Sequence, residues 1–256
     1  MKLTVLGCWA PYPPAGGACP GYLVQSDENN ILVDCGNGVL SNLQKYIDFR
    51  AIDGVIISHL HPDHYVDIFP LRHAVEIARQ RQTDLGPVPL YLPNEPKDTF
   101  AKIAGYREAF TVIPIESLPG SEINGSVIRA AVIGHNKIRL IRTDHPIPTY
   151  AVSVEGKGRL FYSADTKWTD YLPEFARGSD TILCEASFTE ENKTLTSVGH
   201  LTCRQAGELA RASGAGQLVA THFWPGYSPE TIKSEAEAGF GGKVILAHEG
   251  LQVAIK

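Results

Sequence analysis

Ser58-His59-Leu60-His61-Pro62-Asp63-His64 packs three imidazoles and one carboxylate between residues 59 and 64. It follows the apolar run Gly54-Val55-Ile56-Ile57, which reads as a buried strand. It precedes Tyr65 to Arg81, where Val66, Phe69, Leu71, Ala74, Val75, Ile77 and Ala78 recur at a helical period. The cluster therefore belongs at a strand-to-helix turn, where side chains converge beyond the strand end. Neutral imidazole is the commonest ligand of zinc-like metals, and Asp adds charge for a second dication. A solvated His-rich turn or an expression-tag tract is the bland alternative. Tags are terminal and uninterrupted, and this stretch is neither.

Outward from the cluster, strands are predicted at 2–7, 21–26, 30–34 and 54–58, with a short helix from Val39 to Ile47. Val88 to Leu92 is strand-like and Lys97 to Ala109 helical. Residues 110–163 hold β-rich runs at Thr111–Ile115, Val127–Ile133, Ile138–Ile141, Tyr150–Val154 and Arg159–Tyr162, with almost no helix. Alternation then returns: strand 181–184, helix 203–213, strand 217–221, helix 229–238 and strands 243–247 and 251–255. Thr202 with Gln205 is a capping box, and Ser228-Pro229 an N-cap followed by proline at the first helical position. Two β-rich blocks with attached helices imply two sheets packed face to face, helices outside. No linker divides them, so 1–256 reads as one domain.

Composition narrows the class. The 256 residues are 43% hydrophobic and 20% charged, ordinary values for a globular chain. No apolar run approaches the roughly 18 residues that cross a bilayer. The start, Met1 to Gly7, reads as a strand rather than a secretory signal. Five scattered cysteines argue against a disulfide framework, so the expected compartment is the cytoplasm. A formal charge of −5 argues against extended nucleic-acid binding but not against a small anionic ester, since bound dications make a site locally positive.

Beyond the cluster, His145 follows one strand, Asp165 follows Phe161-Tyr162-Ser163-Ala164, and His222 ends Leu218-Val219-Ala220-Thr221. Ligand-type side chains at the carboxyl ends of strands are where open sheets place their sites. Singly each is a structural polar residue; together with the cluster they form a set.

In that order, His59-x-His61-x-Asp63-His64, His145, Asp165 and His222 resemble the metal-ligand set of the metallo-β-lactamase superfamily, over essentially the whole chain. Asp34-Cys35-Gly36 resembles its early Asp-x-Gly, in which the Asp supports the His-rich loop without binding metal. The resemblance implies an α/β (α+β layered) fold, the four-layer αβ/βα sandwich. It implies one metal at His59, His61 and His145, a second at Asp63, His64 and His222, and Asp165 bridging. Zinc is favoured, with manganese and iron as alternatives. A metal-bridging hydroxide would be the nucleophile, and Asp63 counts among the catalytic groups as well as the ligands.

Gly199-His200-Leu201-Thr202 and Cys184-Glu185-Ala186-Ser187 are similar to segments of the tRNase Z branch. There the equivalents of Glu185 and His200 form a pair that protonates the leaving oxygen; the carboxylate keeps the imidazole charged. The branch also implies a homodimer. Only 19 residues separate His145 from Asp165, leaving no room for that branch's tRNA-gripping arm. The expected activity is hydrolysis of a small nucleotide or cyclic phosphodiester. Thioester, lactone or β-lactam hydrolysis and tRNA 3′ processing are the alternatives, and a non-catalytic metal module is a third class. The short layout also resembles a phosphonate-pathway cyclic phosphodiesterase, without that protein's cysteine-rich zinc site. His73 reads as structural and His135 as exposed, and Cys35 and Cys184 as buried and inert. His248, Trp168, Tyr171 and Trp224 are candidates for the pocket wall.

Overall fold

Leu3, Val5, Tyr22, Val24, Ile31 and Val33 alternate along three strands with Leu6, Leu23 and Leu32, and the two sets enter different cores. With a side-chain period of two, a strand that is apolar at successive positions feeds both faces of its sheet. Layering follows from that. The computed structural model describes residues 1–81, 85–123 and 125–256.

Among these residues the strands form two sheets. The first has the order β15-β1-β2-β3-β4-β5-β6, built from β1 (Lys2–Gly7), β2 (Gly21–Ser26), β3 (Asn29–Val33), β4 (Gly54–Ile56), β5 (Val88–Leu92), β6 (Phe110–Pro114) and β15 (Gln252–Ala254). The second has the order β14-β13-β12-β11-β10-β9-β8-β7. Its strands are β7 (Gly120–Ile123), β8 (Ser126–Ile133), β9 (Asn136–Arg142), β10 (Tyr150–Gly156), β11 (Gly158–Tyr162), β12 (Thr181–Glu185), β13 (Gln217–Thr221) and β14 (Ile245–Leu246). One core lies on the outer face of the first sheet, where helix Ile68–Arg81 contributes Ile68, Leu71 and Val75. The other joins the facing sheets and extends to helices Cys203–Ser213 and Pro229–Phe240. This is the expected αβ/βα sandwich. No helix among the described residues is long and apolar enough to cross a membrane.

Both helix-start signals form as read. Thr202 accepts from the Gln205 amide and the reciprocal bond is present; Ser228 accepts from the Thr231 amide. Several boundaries move. The helix expected from Tyr65 is two, Pro62–Tyr65 and Ile68–Arg81, the first starting earlier because Pro62 takes the first helical position directly behind His61. The helix expected to Ala109 stops at Ala104, before Gly105, and the one expected to Ile47 stops at Leu43. Strand β7, helix Tyr171–Ala176 and the 3₁₀ segment Glu190–Val198 are additions. The last buries none of its side chains, so no apolar period marks it.

Strands β3 and β4 are parallel, as are β11, β12 and β13, so their carboxyl ends emerge on one edge of each sheet. Buried tyrosines tie those edges together: Tyr22 Oη to Thr221 Oγ1 at 2.8 Å, and Tyr162 Oη donating to Asp34 Oδ2 at 2.9 Å. The functional side chains leave from that seam.

Candidate metal centre

At this seam, non-glycine residues with positive φ stand just past the carboxyl ends of three strands: Asp34 (57°) after β3, Ala164 (49°) after β11 and His222 (61°) after β13. This left-handed region is costly for a residue with Cβ, and strain of this kind gathers where geometry is held for function. Each kink turns the chain into the seam. The cluster 59–64 arrives from β4, Asp165 from β11 and His222 from β13; His145 lies beyond β9, and Glu185 is the last residue of β12.

The turn lies against Asp34-Cys35-Gly36. Cys35 donates its amide to the His64 carbonyl at 2.7 Å, and a Cβ at position 36 would overlap the Asp63 carbonyl oxygen. Glycine is required there by close approach. Asp34, fully buried, accepts from the Ser58 amide (2.7 Å), Ser58 Oγ (2.9 Å), His64 Nδ1 (2.8 Å) and Tyr162 Oη (2.9 Å). It supports the loop from behind and does not face the ligand centre.

Two groups of ligand atoms converge. In one, His61 Nδ1 lies 3.1 Å from both His59 Nε2 and His145 Nε2, and Asp165 Oδ2 lies 3.4 Å from His59 and 4.0 Å from His145. In the other, His64 Nε2 and His222 Nε2 are 3.1 Å apart, with Asp63 Oδ2 at 3.5 and 3.8 Å from them. Asp165 reaches this group too, Oδ2 to His64 at 3.5 Å and Oδ1 to His222 at 3.1 Å. Tetrahedral zinc with bonds of about 2.0–2.1 Å sets its ligand atoms about 3.3 Å apart. Those separations fit the edges of two such polyhedra sharing Asp165. Asp165 Oδ1 is buried and accepts no hydrogen bond, an expensive state for a carboxylate unless a cation meets it. On both counts the residues fit a pair of divalent cations.

Four of the outward nitrogens are held. His59 Nδ1 faces Ser58 Oγ (3.1 Å), His64 Nδ1 faces Asp34, His145 Nδ1 donates to the Gly199 carbonyl (2.9 Å), and His222 Nδ1 faces Ser187 Oγ (2.7 Å). Such partners fix the tautomer that turns the other nitrogen toward a metal. Gly199, at φ 116°, is another required glycine, since a Cβ would stand 2.6 Å from His145 Nδ1. Ser58, Ser187 and Gly199 have no role assigned from sequence. The serines lie inside quoted motifs, but their partners are far away along the chain.

Charge is arranged to match. Burial, helped by His64, holds His59 well below its ordinary pKa, and burial and His145 lower His61 to about 4. Burial likewise keeps His222 neutral. Neutral imidazole is the ligating form. His64 is the exception: burial opposes its proton, but Asp165, Asp63 and Asp34 outweigh it and raise the pKa. Burial would raise Asp165, yet His222, His64 and His59 hold it ionised.

Beside this centre, His200 Nδ1 lies 3.1 Å from Glu185 Oε2 and 3.8 Å from Asp165 Oδ2, its ring stacked on His222 at 5.4 Å. Burial works against its charge, but Glu185 and Asp165 prevail and raise its pKa to about 9. Glu185, fully buried, also accepts from the Thr166 amide (2.7 Å) and Ser187 Oγ (2.6 Å). His200, Asp63 and Asp165 face an open cavity of about 550 Å³. Trp224 and Tyr227 line it; Trp168 instead donates to Asp170, and Tyr171 borders a separate cavity of about 650 Å³ with Arg129 and Arg142. His248 is exposed and outside both. His73 and His135 are exposed, and all five thiols are buried and unpaired.

The family model described as "Beta-lactamase superfamily domain" matches residues 29–223. The chain is 32% identical over 251 residues to the probable metallo-hydrolase YhfI of Bacillus subtilis, covering 98% of each. It superposes on the crystal structure of YhfI, called there a metallo-beta-lactamase fold protein, with TM-score 0.86 and 30% identity over 99% of both chains. Human tRNase Z, short form, shares the fold over all of both chains, with TM-score 0.77 and 21% identity. A diphosphatase of the PhnP family does so with TM-score 0.71 and 19% identity, over 100% of this chain and 98% of its own.

Proposed function

The chain belongs to the metallo-β-lactamase superfamily and is a metallo-hydrolase, and from that premise we propose that it is a dinuclear phosphodiesterase acting on a small nucleotide or cyclic diester. The pairing of His200 with Glu185 at 3.1 Å, beside Asp165 and open to the cavity, carries this reading. Attack by water on a phosphodiester expels a basic alkoxide, and a positioned acid at that oxygen is worth roughly 10²–10⁴-fold.

His59, His61 and His145 would hold one cation, Asp63, His64 and His222 the other, and Asp165 both. Zinc suits these nitrogen and oxygen donors, and a bound pair would supply a nucleophilic water at neutral pH and offset phosphoryl charge. The protein's own groups do the rest. Asp63 and Asp165 fix the negative edge of the site. Glu185 keeps the His200 ring charged and aimed. His200 gives its proton to the leaving oxygen as the old P–O bond breaks and the water oxygen forms the new one, yielding a phosphomonoester and an alcohol. The 19 residues between His145 and Asp165 are consumed largely by the β10–β11 hairpin, which favours a small substrate over a folded RNA.

The test compares leaving groups. Protein loaded with zinc or manganese is expected to release p-nitrophenolate from bis(p-nitrophenyl) phosphate. His200→Ala should retain its metal content and lose far more rate on a diester with an alkoxide leaving group than on the nitrophenyl ester, whose leaving group needs little protonation. Turnover of thioesters or lactones with His200 dispensable, and none of diesters, would replace this reading.

A further inference from the structure

The cavity over the metal centre has a floor and walls of opposite character. The floor is the His/Asp cluster; the walls are Phe188, Leu195, Val198, Trp224 and Tyr227. Large apolar side chains exposed on the described surface are few, and three of them line this one cavity: Leu195 at 47%, Val198 at 53% and Trp224 at 40% exposure. A contiguous apolar patch that borders a polar floor marks a binding surface, where scattered exposed residues would mean nothing. Leu195 and Val198 are three apart on the 3₁₀ segment Glu190–Val198, so they project from one face of it. Trp224 and Tyr227 meet edge to face at 5.0 Å. Among the described residues no lysine or arginine lines the cavity. Positive charge would come from the bound cations and His200 on the floor, so a second phosphate at the walls would find no partner.

We propose that the site takes a singly charged phosphodiester whose non-leaving substituent is a bulky apolar ring, seated against Leu195, Val198, Trp224 and Tyr227. This rests on the phosphodiesterase reading above and narrows its substrate. The cavity runs without interruption from this rim to Asp63, Asp165 and His200, so the group occupying the walls is part of the molecule being cleaved.

The metal-loaded protein is assayed on p-nitrophenyl phenyl phosphate and p-nitrophenyl methyl phosphate. In both, water forms a P–O bond, the bond to p-nitrophenolate breaks with its electron pair, and phenyl or methyl phosphate remains. After division by their hydroxide-catalysed rates, the phenyl ester is expected to have kcat/KM at least about tenfold higher, the benefit of burying a ring. Trp224→Ala and the double variant Leu195→Asn, Val198→Asn should each bring that ratio toward one; all three residues are exposed enough for the fold to persist. A 3′-phosphate added to thymidine 5′-(p-nitrophenyl phosphate) should lower KM by less than about twofold. Equal kcat/KM on the phenyl and methyl esters, with p-nitrophenolate still released, overturns the inference and leaves the phosphodiesterase reading standing. Release from neither ester at full metal content removes both. If the double variant changes the sedimentation coefficient and not the ratio, the rim joins copies of this chain and the inference fails. A KM lowered tenfold by the 3′-phosphate also refutes it.

Discussion

Ser58 and Ser187 stand in matching places on opposite sheets. Each hydroxyl faces the outer nitrogen of a ligand-type imidazole, His59 or His222, and donates to a buried carboxylate, Asp34 or Glu185. Each carboxylate also meets Nδ1 of a further imidazole directly, His64 or His200. The centre is one arrangement built twice, with a difference. The Asp34 copy is sealed by Tyr162, while the Glu185 copy opens through His200 onto the cavity.

Ser187→Ala removes the acceptor for His222 Nδ1 and one donor to Glu185. Loss of such a partner typically costs 10–100-fold in metal affinity. Competition against a fluorescent chelator is expected to show one ion weakened by that amount and the other nearly unaffected. Ser58→Ala should weaken the ion on the His59 side instead.

Asp34→Ala would strand four buried donors, each worth about 1–3 kcal/mol when unsatisfied. Some relax, so a net loss of about 3–5 kcal/mol and a Tm lower by about 10 °C are expected in thermal unfolding. Asp34→Asn should lose less, since Asn tolerates the φ of 57° and keeps one carbonyl acceptor. The metal content of both variants should fall.

As the proposed acid, His200 must be protonated for activity. Its pKa is raised from 6.5 to about 9 by Glu185 and Asp165 against burial. Activity is therefore expected to persist above pH 6.5 and to fall as pH rises through the raised value. Bound cations would offset the Asp165 contribution and bring the limb somewhat below 9. Glu185→Gln should shift that limb further toward neutral pH in a kcat profile; an unmoved limb would assign it to another group.

Chelation should lower stability without unfolding the chain, because the two cores do not depend on the ligands. Free metal at 100 times Kd adds about 2.7 kcal/mol per site. Differential scanning calorimetry with zinc against EDTA should show a Tm difference of about 5–10 °C per ion.

Much of this was legible in the chain because the signals are local. Apolar runs at Ile31–Val33, Val55–Ile57 and Leu218–Thr221 mark strands, and the ligand-type residue behind each marks an edge. The capping box at Thr202 set a helix start to the residue. Other features depend on distant partners. Ser187 gains its meaning from His222, 35 residues on, and the Gly199 carbonyl from His145, 54 residues back. The helix Tyr171–Ala176 carries Pro173 within it, and Glu190–Val198 lacks an apolar face, so neither shows a period. Of the proposed walls Trp224 is a candidate from sequence, while Leu195 and Val198 carry no local signal and become a surface only opposite it.

The ligand groups span both sheets, with His61 and His145 84 positions apart and His64 and His222 158 apart. Considered as polymer loops, each ion would act as a removable cross-link. Closure entropy grows only logarithmically, so the longer loop outweighs the shorter by about 0.6 kcal/mol. The two clasps would thus restrain the unfolded chain almost equally, however different their coordination. Which ion leaves first during unfolding is then a question of bond strength at the seam, and chain topology has almost no vote.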